Sequence, residues 1–293
     1  MSEQKLEVFN VLNFLSRGYK IDDILNEDNF GTFQSGQDCL DYLVEEGYLS
    51  GNGGTVTAEE ISKKYTVADL KVLLKENGLK VSGKKQELVE RILPVLNEGA
   101  GAGDYELTDK AYEFLKENDW IDLYMFALVA FRFEDYKDYV EGSSADKIET
   151  ALNFCDEILS RALIANQFIV FIDALSAKAH VYAYDGDYNS FMDYDLQRYI
   201  LGLNPISLDA QTYATYDPIN DANIYNLRRV LEKLDMGSLK KRFDKIWNIC
   251  NIRNTTVPKK TCYKILQRAL DGADLEELNF DIKEKYFNKK FGI

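Results

Sequence analysis

Apolar residues recur every three or four positions along most of this chain, which is the spacing of helices that bury one face. Strand-like runs are confined to residues 48–49 and 105–108. Glycine, proline and small polar residues separate the periodic segments and indicate where elements end. The pattern therefore predicts a mainly α-helical protein with very little sheet.

The pattern in the N-terminal part of the chain predicts four short helices around these two strands. Residues 6–15 form the first helix and residues 21–25 the second. Ser35 is expected to cap the third helix, which ends at Gly47, and Thr108 to cap the fourth.

The C-terminal part predicts helices alone. Residues 120–133 are so apolar that their helix should be buried, and Pro218 is expected at a helix start, where proline is tolerated. The helical pattern covers residues 120–133, 148–163, 168–184, 188–201, 219–234, 239–252, 262–270 and 283–291.

Residues 66–93 carry the most specific pattern in the chain. Thr66 is expected to cap a first helix, which Gly78 ends with a left-handed residue. Ser82 is expected to cap a second helix that ends near Pro94. The segment therefore predicts two short helices joined by a tight turn.

This segment is also a basic island in an acidic protein. Residues 62–96 hold eight Lys and Arg against four Asp and Glu, a net charge of +4. The whole chain holds 35 basic and 49 acidic residues, for −14, so the remainder holds 27 and 45, for −18. Lys84 and Lys85 lie at the start of the second helix, where unpaired N–H groups favour an anion. Together these features predict a phosphate-bearing partner.

The run TVADLKVLLKENGLKVSGKKQELVERI closely resembles the SAP domain, a small helical hairpin found in DNA-associated proteins. The resemblance rests on Thr66, Val67, Leu70, Lys71, Leu74, Lys75, Gly78, Leu79, Val81, Ser82, Gly83, Lys85, Glu87, Leu88, Val89, Arg91 and Ile92. Because that family binds double-stranded DNA with modest sequence preference, the resemblance implies weak, largely non-specific binding of duplex DNA. The residues that match and could contact DNA are Lys75, Lys80, Ser82, Gly83, Lys84, Lys85 and Arg91.

A plainer interpretation of the same residues stays open. Thr66, Gly78, Ser82 and Gly83 could serve only to build the hairpin, with the lysines forming a solvated face. Some modules of this type also bind proteins.

The segments on either side of the hairpin resemble two halves of a winged-helix domain. Residues 41–49 are similar to a third helix running into a strand, and residues 105–116 to the returning strand and closing helix. The hairpin then replaces the wing, between glycine-rich tethers at 50–55 and 99–103. Similar arrangements occur in bacterial and phage-type proteins. The predicted domains are a split winged-helix-like domain at 1–50 and 104–120, a SAP insertion at 60–97 and an all-helical domain at 121–293.

The third helix of this winged-helix-like domain is unsuited to DNA. It carries Asp38, Asp41, Glu45 and Glu46 but no Lys or Arg, although a winged helix usually reads DNA with that helix. The acidic side chains would repel phosphate, so we expect this domain to be a mount for the hairpin.

Residues 177–205 resemble one helical hairpin of the tetratricopeptide type. Five residues lie near the expected positions, namely Ala179, Tyr182, Gly186, Tyr188 and Pro205. Phe191 stands where that repeat has a small residue. One copy does not make an array, which needs at least three. The safer prediction is a domain of antiparallel helical hairpins that contacts a protein partner or a second copy of the chain.

The sequence offers little for catalysis or metal binding. The one histidine, His180, lies in an aromatic helix and is expected to be a packed core residue. The acidic run at 185–193 departs from a calcium loop at its sixth and twelfth positions, Ser190 and Leu196. We therefore predict no catalytic residues, no metal and no cofactor, although a carboxylate pair of an unrecognised hydrolase could hide in so acidic a chain.

Composition places the protein among soluble globular proteins. No segment is apolar enough to span a bilayer, and the N-terminus lacks the basic region of a secretory signal. The four cysteines are widely spaced and are expected to be reduced and mostly buried, as in the cytoplasm. The sequence thus predicts a non-enzymatic, cytoplasmic DNA-binding adaptor. The alternative is a protein-interaction scaffold that binds no DNA.

Overall fold

The computed structural model describes residues 2–21, 32–51, 58–97, 105–205, 210–234, 239–253 and 255–291. The predicted helix at 21–25 and the glycine-rich segments at 50–55 and 99–103 lie wholly or partly outside these ranges. The chain divides into two units, Met1–Ile121 and Asp122–Ile293. The described residues are mainly helical with one two-stranded sheet, which confirms the predicted fold class.

The first unit contains short helices and a pair of two-residue strands. Its elements are α1 (Ser2–Ser16), α2 (Gly36–Glu45), β1 (Leu49–Ser50), α3 (Ala58–Lys64), α4 (Val67–Glu76), α5 (Lys85–Asn97), β2 (Glu106–Leu107), α6 (Asp109–Glu117) and α7 (Trp120–Leu123), the last of which reaches the unit boundary. Strands β1 and β2 are antiparallel, with Leu49 opposite Leu107 and Ser50 opposite Glu106. Both predicted strands are therefore present, and they pair with each other.

The predicted caps in this unit are confirmed. The Ser35 hydroxyl accepts a hydrogen bond from the Asp38 N–H at 3.1 Å, so that the helix begins where the sequence indicated. Thr108 caps α6 by accepting from the Ala111 N–H, and its hydroxyl donates to the Gly47 carbonyl at 2.8 Å. Thr108 thereby ties the start of α6 to the end of α2.

One hydrophobic core lies under this sheet and a second lies within residues 61–96. The first core contains Val8, Val11, Leu12, Ile21, Cys39, Leu40, Leu43, Leu49 and Ala111. The second contains Ile61, Leu70, Leu74, Leu88, Val89 and Ile92. The two cores share no residue, so that the hairpin buries its apolar face by itself.

The second unit consists of helices and connecting loops in its described part. Its helices are α8 (Phe133–Glu141), α9 (Lys147–Ile164), α10 (Phe168–Tyr184), α11 (Tyr188–Gly202), α12 (Ala210–Thr215), α13 (Asp221–Leu231), α14 (Leu239–Cys250), α15 (Lys259–Leu270), α16 (Leu275–Ile282) and α17 (Asn288–Phe291). Two π-helical turns, Tyr124–Leu128 and Lys283–Phe287, interrupt the α-helices. Helices α10 and α11 form the hairpin predicted at residues 177–205, and α9 packs on α10.

Several predictions for this unit were wrong in detail. Residues 120–128 form α7 and a π-helical turn that ends before α8 begins at Phe133, and Phe126 is 52% exposed. Pro218 is buried ahead of α13, which begins at Asp221 and is capped by Asn220. Helices α8, α12 and α16 were not predicted, although Phe133, Tyr136 and Val140 of α8 follow a helical spacing, as do Leu275, Leu278 and Ile282 of α16.

Candidate nucleic-acid interface

Helix α4 is held at its start by a reciprocal capping arrangement. The Thr66 hydroxyl accepts from the Asp69 N–H, while the Asp69 carboxylate accepts from the Thr66 N–H at 2.9 Å. The carboxylate also accepts from the Thr66 hydroxyl at 2.7 Å. Hydrogen bonds from the Thr66 side chain and backbone lower the pKa of Asp69. The predicted cap is confirmed.

The same helix ends in a Schellman motif. The Gly78 N–H donates to the Lys75 carbonyl at 3.1 Å, and the Leu79 N–H donates to the Leu74 carbonyl at 2.7 Å. Gly78 has a φ of +67°, which a side chain would make unfavourable. Leu79 packs against the hairpin core that contains Leu74. The turn that follows α4 is thus fixed by backbone and apolar contacts together.

The hairpin has three helices, although the sequence predicted two. Helix α3 packs against α5 and buries Ile61, whose side chain is only 1% exposed. The rest of α3 is polar, and a single apolar residue gives no period to detect.

Helix α5 begins later than predicted. Lys84 occupies its N-cap position, because the helix starts at Lys85 and the Leu88 N–H donates to the Lys84 carbonyl at 3.1 Å. The Glu87 carboxylate accepts from the Lys84 N–H at 3.3 Å. Ser82 therefore lies two residues before the cap, and the prediction that Ser82 caps α5 was wrong. A carboxylate of the hairpin itself occupies the end of α5 where a phosphate was expected.

Gly83 lies between Ser82 and this cap, and two steric features favour glycine at this position. Its φ is +141°, a conformation that residues with side chains rarely adopt. A Cβ atom at this position would also lie 2.5 Å from Glu87 Oε2, so the Glu87 side chain would have to move from the position in which it accepts from the Lys84 N–H. Gly83 is therefore required for the connection to reach α5, which favours a structural role for it.

Pro94 does not end α5, contrary to the prediction. The helix continues through Pro94 to Asn97, and Val95 and Leu96 pack against the hairpin core. Their burial outweighs the hydrogen bond that proline cannot donate to the preceding turn.

Two of the predicted DNA-contacting cations bind backbone carbonyls of the hairpin. Arg91 Nη1 donates to the carbonyl of Lys80 and to that of Ser82, the latter at 3.1 Å. Lys85 Nζ donates at 2.7 Å to the carbonyl of Ser62, a residue in the last turn of α3. Arg91 thus fastens the connection between α4 and α5, and Lys85 fastens α3 to α5. These contacts span 9 to 23 residues, so local sequence patterns gave no sign of them.

Three of the predicted lysines remain available for a ligand. Lys75, Lys80 and Lys84 are exposed, and their ammonium groups have no ion pair or hydrogen bond with any other described residue. Lys71 has the same properties and lies four residues before Lys75, on the same face of α4. The sequence prediction omitted Lys71, which the spacing of four could have revealed. Within the described hairpin, Lys63 is the lysine with a carboxylate partner, Glu59 at 2.8 Å.

This set of helices, caps and exposed lysines agrees with one family. Residues 62–96 match the family model of the SAP domain. The match covers about a tenth of the 293-residue chain. It indicates nucleic-acid binding in general. No match was found among curated proteins or among solved structures.

The remaining sequence-predicted features lie outside the SAP domain. The predicted acidic face of α2 is exposed to solvent, on and directly after the helix, at Asp38, Asp41, Glu45 and Glu46.

The acidic run at 185–193 forms a turn between helices. Asp187 caps α11 by accepting from the N–H groups of Asn189 and Ser190. Among the described residues, no cluster of His, Cys, Asp and Glu is suited to hold a metal ion. None of the described helices is both long and apolar enough to cross a bilayer.

Proposed function

We propose that this protein binds double-stranded DNA through its SAP domain, with Lys75, Lys80 and Lys84 contacting phosphates. The observation that supports this most is the exposure of all three ammonium groups without a carboxylate partner among the described residues. Lys71 is a fourth candidate on the same grounds. Ser82 and Gly83 are exposed next to Lys84, and the Ser82 carbonyl accepts from Arg91. In this proposal Lys85 and Arg91 act by holding α3 and the connection in place.

The charge distribution sets the strength of this interaction. The remainder of the chain carries −18, so DNA contact is confined to the SAP domain and the rest of the surface opposes it. Three phosphate contacts predict that log K falls with log salt at a slope of about −3. The affinity of one copy should lie near the non-specific range, with a dissociation constant of about 10⁻⁴–10⁻⁶ M.

The test is a titration of duplex DNA at several salt concentrations with wild type and K75E/K80E/K84E. We expect the variant to lose detectable binding, because three attractive contacts become repulsive. The matched control is K116E/K241E/K264E, which makes the same change of charge at exposed lysines without described partners outside the SAP domain. Equal losses in the two variants would show that net charge alone matters and would contradict the proposed interface.

We further propose that the protein is a non-enzymatic cytoplasmic adaptor. In this proposal residues 1–50 and 104–120 carry the SAP domain, and residues 121–293 bind a protein partner or a second copy of the chain. Ile164 and Leu163 support this protein-binding role, because they are 88% and 62% exposed at the end of α9. The measurement is the molar mass in solution of wild type and L163S/I164S by light scattering, together with co-purification of partners.

A scaffold that binds no DNA is the second candidate. The −18 charge outside the SAP domain favours it, because that charge repels phosphate. Absence of duplex binding at low salt, together with a stable protein partner, would support the scaffold and exclude the DNA-binding proposal.

A further inference from the structure

A cleft in the second unit combines aromatic walls with positive charge. Its volume is about 370 Å³, within the range of small-molecule sites. Phe126, His180, Tyr184 and Tyr188 form its walls, and the buried Phe191 lies beneath them. The surrounding rings meet edge to face, with centroids 5.5 Å apart for Phe126 and Tyr184. The cleft therefore offers a flat ring an aromatic environment.

Phe126 has an unusual position on this wall. It lies in the π-helical turn Tyr124–Leu128, and such turns are frequent at functional sites. Its ring is 52% exposed, although an apolar side chain in a helix of this unit would ordinarily be buried. The exposed part of the ring is the part that a planar ligand could cover.

The charge of the cleft is opposite to that of the protein. Arg229 and Lys233 are the charged residues among its described lining residues, which include no Asp or Glu. Neither forms an ion pair with a described carboxylate. Lys233 Nζ donates to the Tyr188 hydroxyl at 2.7 Å and keeps two further N–H donors. In a chain of net charge −14, such a lining favours an anionic ligand.

A polar pair at the wall adds one hydrogen-bond acceptor. His180 Nδ1 lies 2.8 Å from the Ser176 carbonyl and therefore carries the proton. Nε2 then accepts from Asn226 Nδ2 at 3.1 Å. This arrangement leaves Asn226 Oδ1 without a partner among the described residues, so that it can accept from an N–H group of a ligand.

Asp122 and Lys147 lie beside the Tyr184 wall of the cleft. Asp122 accepts from the Tyr184 hydroxyl at 3.0 Å, which occupies one of its oxygens. Lys147 Nζ lies 5.4 Å from the centroid of the Tyr184 ring. This pair adds one charge of each sign beside the wall, whereas the lining of the cleft itself carries the positive charge of Arg229 and Lys233.

We propose that this cleft binds a nucleotide, with the base against Phe126 and Tyr184 and the phosphate on Arg229 and Lys233. Aromatic walls suit a base of any sequence, because every base has a π face. Asn226 Oδ1 would accept from a ring N–H or an exocyclic amino group of that base. The nucleotide could be free or part of a single-stranded nucleic acid, which presents the same chemistry. This site is separate from the SAP domain and does not depend on its function.

The experiment is calorimetric titration of the full chain with deoxyadenosine monophosphate, deoxyadenosine, inorganic phosphate and a single-stranded deoxyadenosine decamer. We expect the monophosphate to bind at least tenfold more tightly than either deoxyadenosine or phosphate. A decamer that binds more tightly than the monophosphate and displaces it indicates a single strand as the source, and a weaker decamer indicates a free nucleotide. Monophosphate binding no tighter than that of phosphate, or none at millimolar concentration, would overturn the proposal.

Matched variants separate the cleft from the rest of the surface. F126A should weaken monophosphate binding about tenfold, the scale of one base stacked on an aromatic ring. Its control is F280A, which removes a ring that is 65% exposed elsewhere in the same unit. R229Q/K233Q should weaken binding by at least tenfold, and the control K241Q/K264Q should not. Equal effects in a variant and its control would contradict the assignment, and circular dichroism verifies that each variant is folded.

The SAP variant distinguishes this proposal from the proposed DNA-binding function. K75E/K80E/K84E should keep its affinity for the monophosphate while it loses duplex DNA. If the monophosphate were lost together with the duplex, its binding would belong to the SAP domain and the cleft would not be the site.

Discussion

At the residue scale, the role of each side chain in the SAP domain depends on whether it already forms a hydrogen bond within the domain. Lys84 and Lys85 are neighbours in sequence, yet Lys84 has a solvated ammonium group while that of Lys85 binds the Ser62 carbonyl. Amino-acid composition cannot distinguish the two residues, because both are lysines. In the structure the first ammonium group is exposed to solvent, and the second joins α5 to α3.

The capping pair Thr66 and Asp69 gives a prediction for pH. Because hydrogen bonds lower the pKa of Asp69 in the folded protein, its contribution to stability is present above the unfolded pKa and lost as the pH falls through the folded value. T66A removes the Thr66 hydroxyl and should raise the pKa of Asp69 toward its ordinary value. NMR titration of the Asp69 carboxyl carbon in wild type and T66A measures this shift. The control is Asp187, whose pKa is lowered by hydrogen bonds from Ser190 and should be the same in both proteins.

The cysteines give a second prediction at this scale. Burial raises the pKa of Cys39, Cys155, Cys250 and Cys262 to about 12, and all four are free thiols. At pH 8 the reactive thiolate should amount to roughly one part in ten thousand. Labelling with a chromogenic disulfide should therefore be slow in the native protein and should reach four thiols at once after unfolding in guanidinium. Fast native labelling of several thiols would contradict this.

At the element scale, local caps could be predicted from the sequence, whereas distant contacts could not. Ser35, Thr66, Thr108 and Gly78 act on backbone groups within five residues, so their signals are contained in short sequence windows. The start of α5 depends on Glu87 and on the conformation of Gly83. The sequence predicted this start at Ser82 instead, because a serine hydroxyl is a common helix cap. The bonds of Arg91 and Lys85 arise only when the helices have packed.

Arg91 gives the prediction that belongs to this scale. R91A removes two hydrogen bonds to the connection and should lower the free energy of unfolding of the SAP domain by about 1–2 kcal/mol. It should weaken duplex binding by displacing Lys80 and Lys84. The slope of affinity against salt should change by less than one unit, because the three lysines proposed to contact phosphate remain.

The comparison variant for R91A is K80E, which should change that salt slope by about one unit with little effect on stability. Hydrogen exchange of the SAP amides measures stability, and the salt series measures the slope. A full unit of slope lost in R91A would show that Arg91 itself contacts phosphate.

At the scale of the whole molecule, a small basic domain is attached to a strongly acidic protein. If the proposed function is correct, the −18 charge of the remainder repels DNA while the lysines of the SAP domain attract it. Sequence alone gave this asymmetry, because charges can be counted without coordinates. The aromatic cleft could not be predicted, because its residues come from segments that only packing brings together.

The acidic face of α2 allows this repulsion to be measured. D38N/D41N/E45Q should increase duplex affinity at 10 mM salt, where charges act over about 30 Å. The gain should shrink at 100 mM salt, where the screening length is about 10 Å. The control D271N/D274N/E276Q removes the same charge from the second unit. A loss of affinity in the first variant would mean that α2 contacts DNA directly, contrary to the mount interpretation.

The pairing of β1 with β2 has a consequence for how such a protein can change. Ser50 and Glu106 face each other in the strand pair, and the chain leaves and rejoins at these neighbouring positions. A segment with adjacent ends can be excised and replaced by a two-residue turn, which is the shortest natural link between antiparallel strands. The intervening residues thus form a cassette that recombination could insert, delete or exchange while its carrier keeps folding.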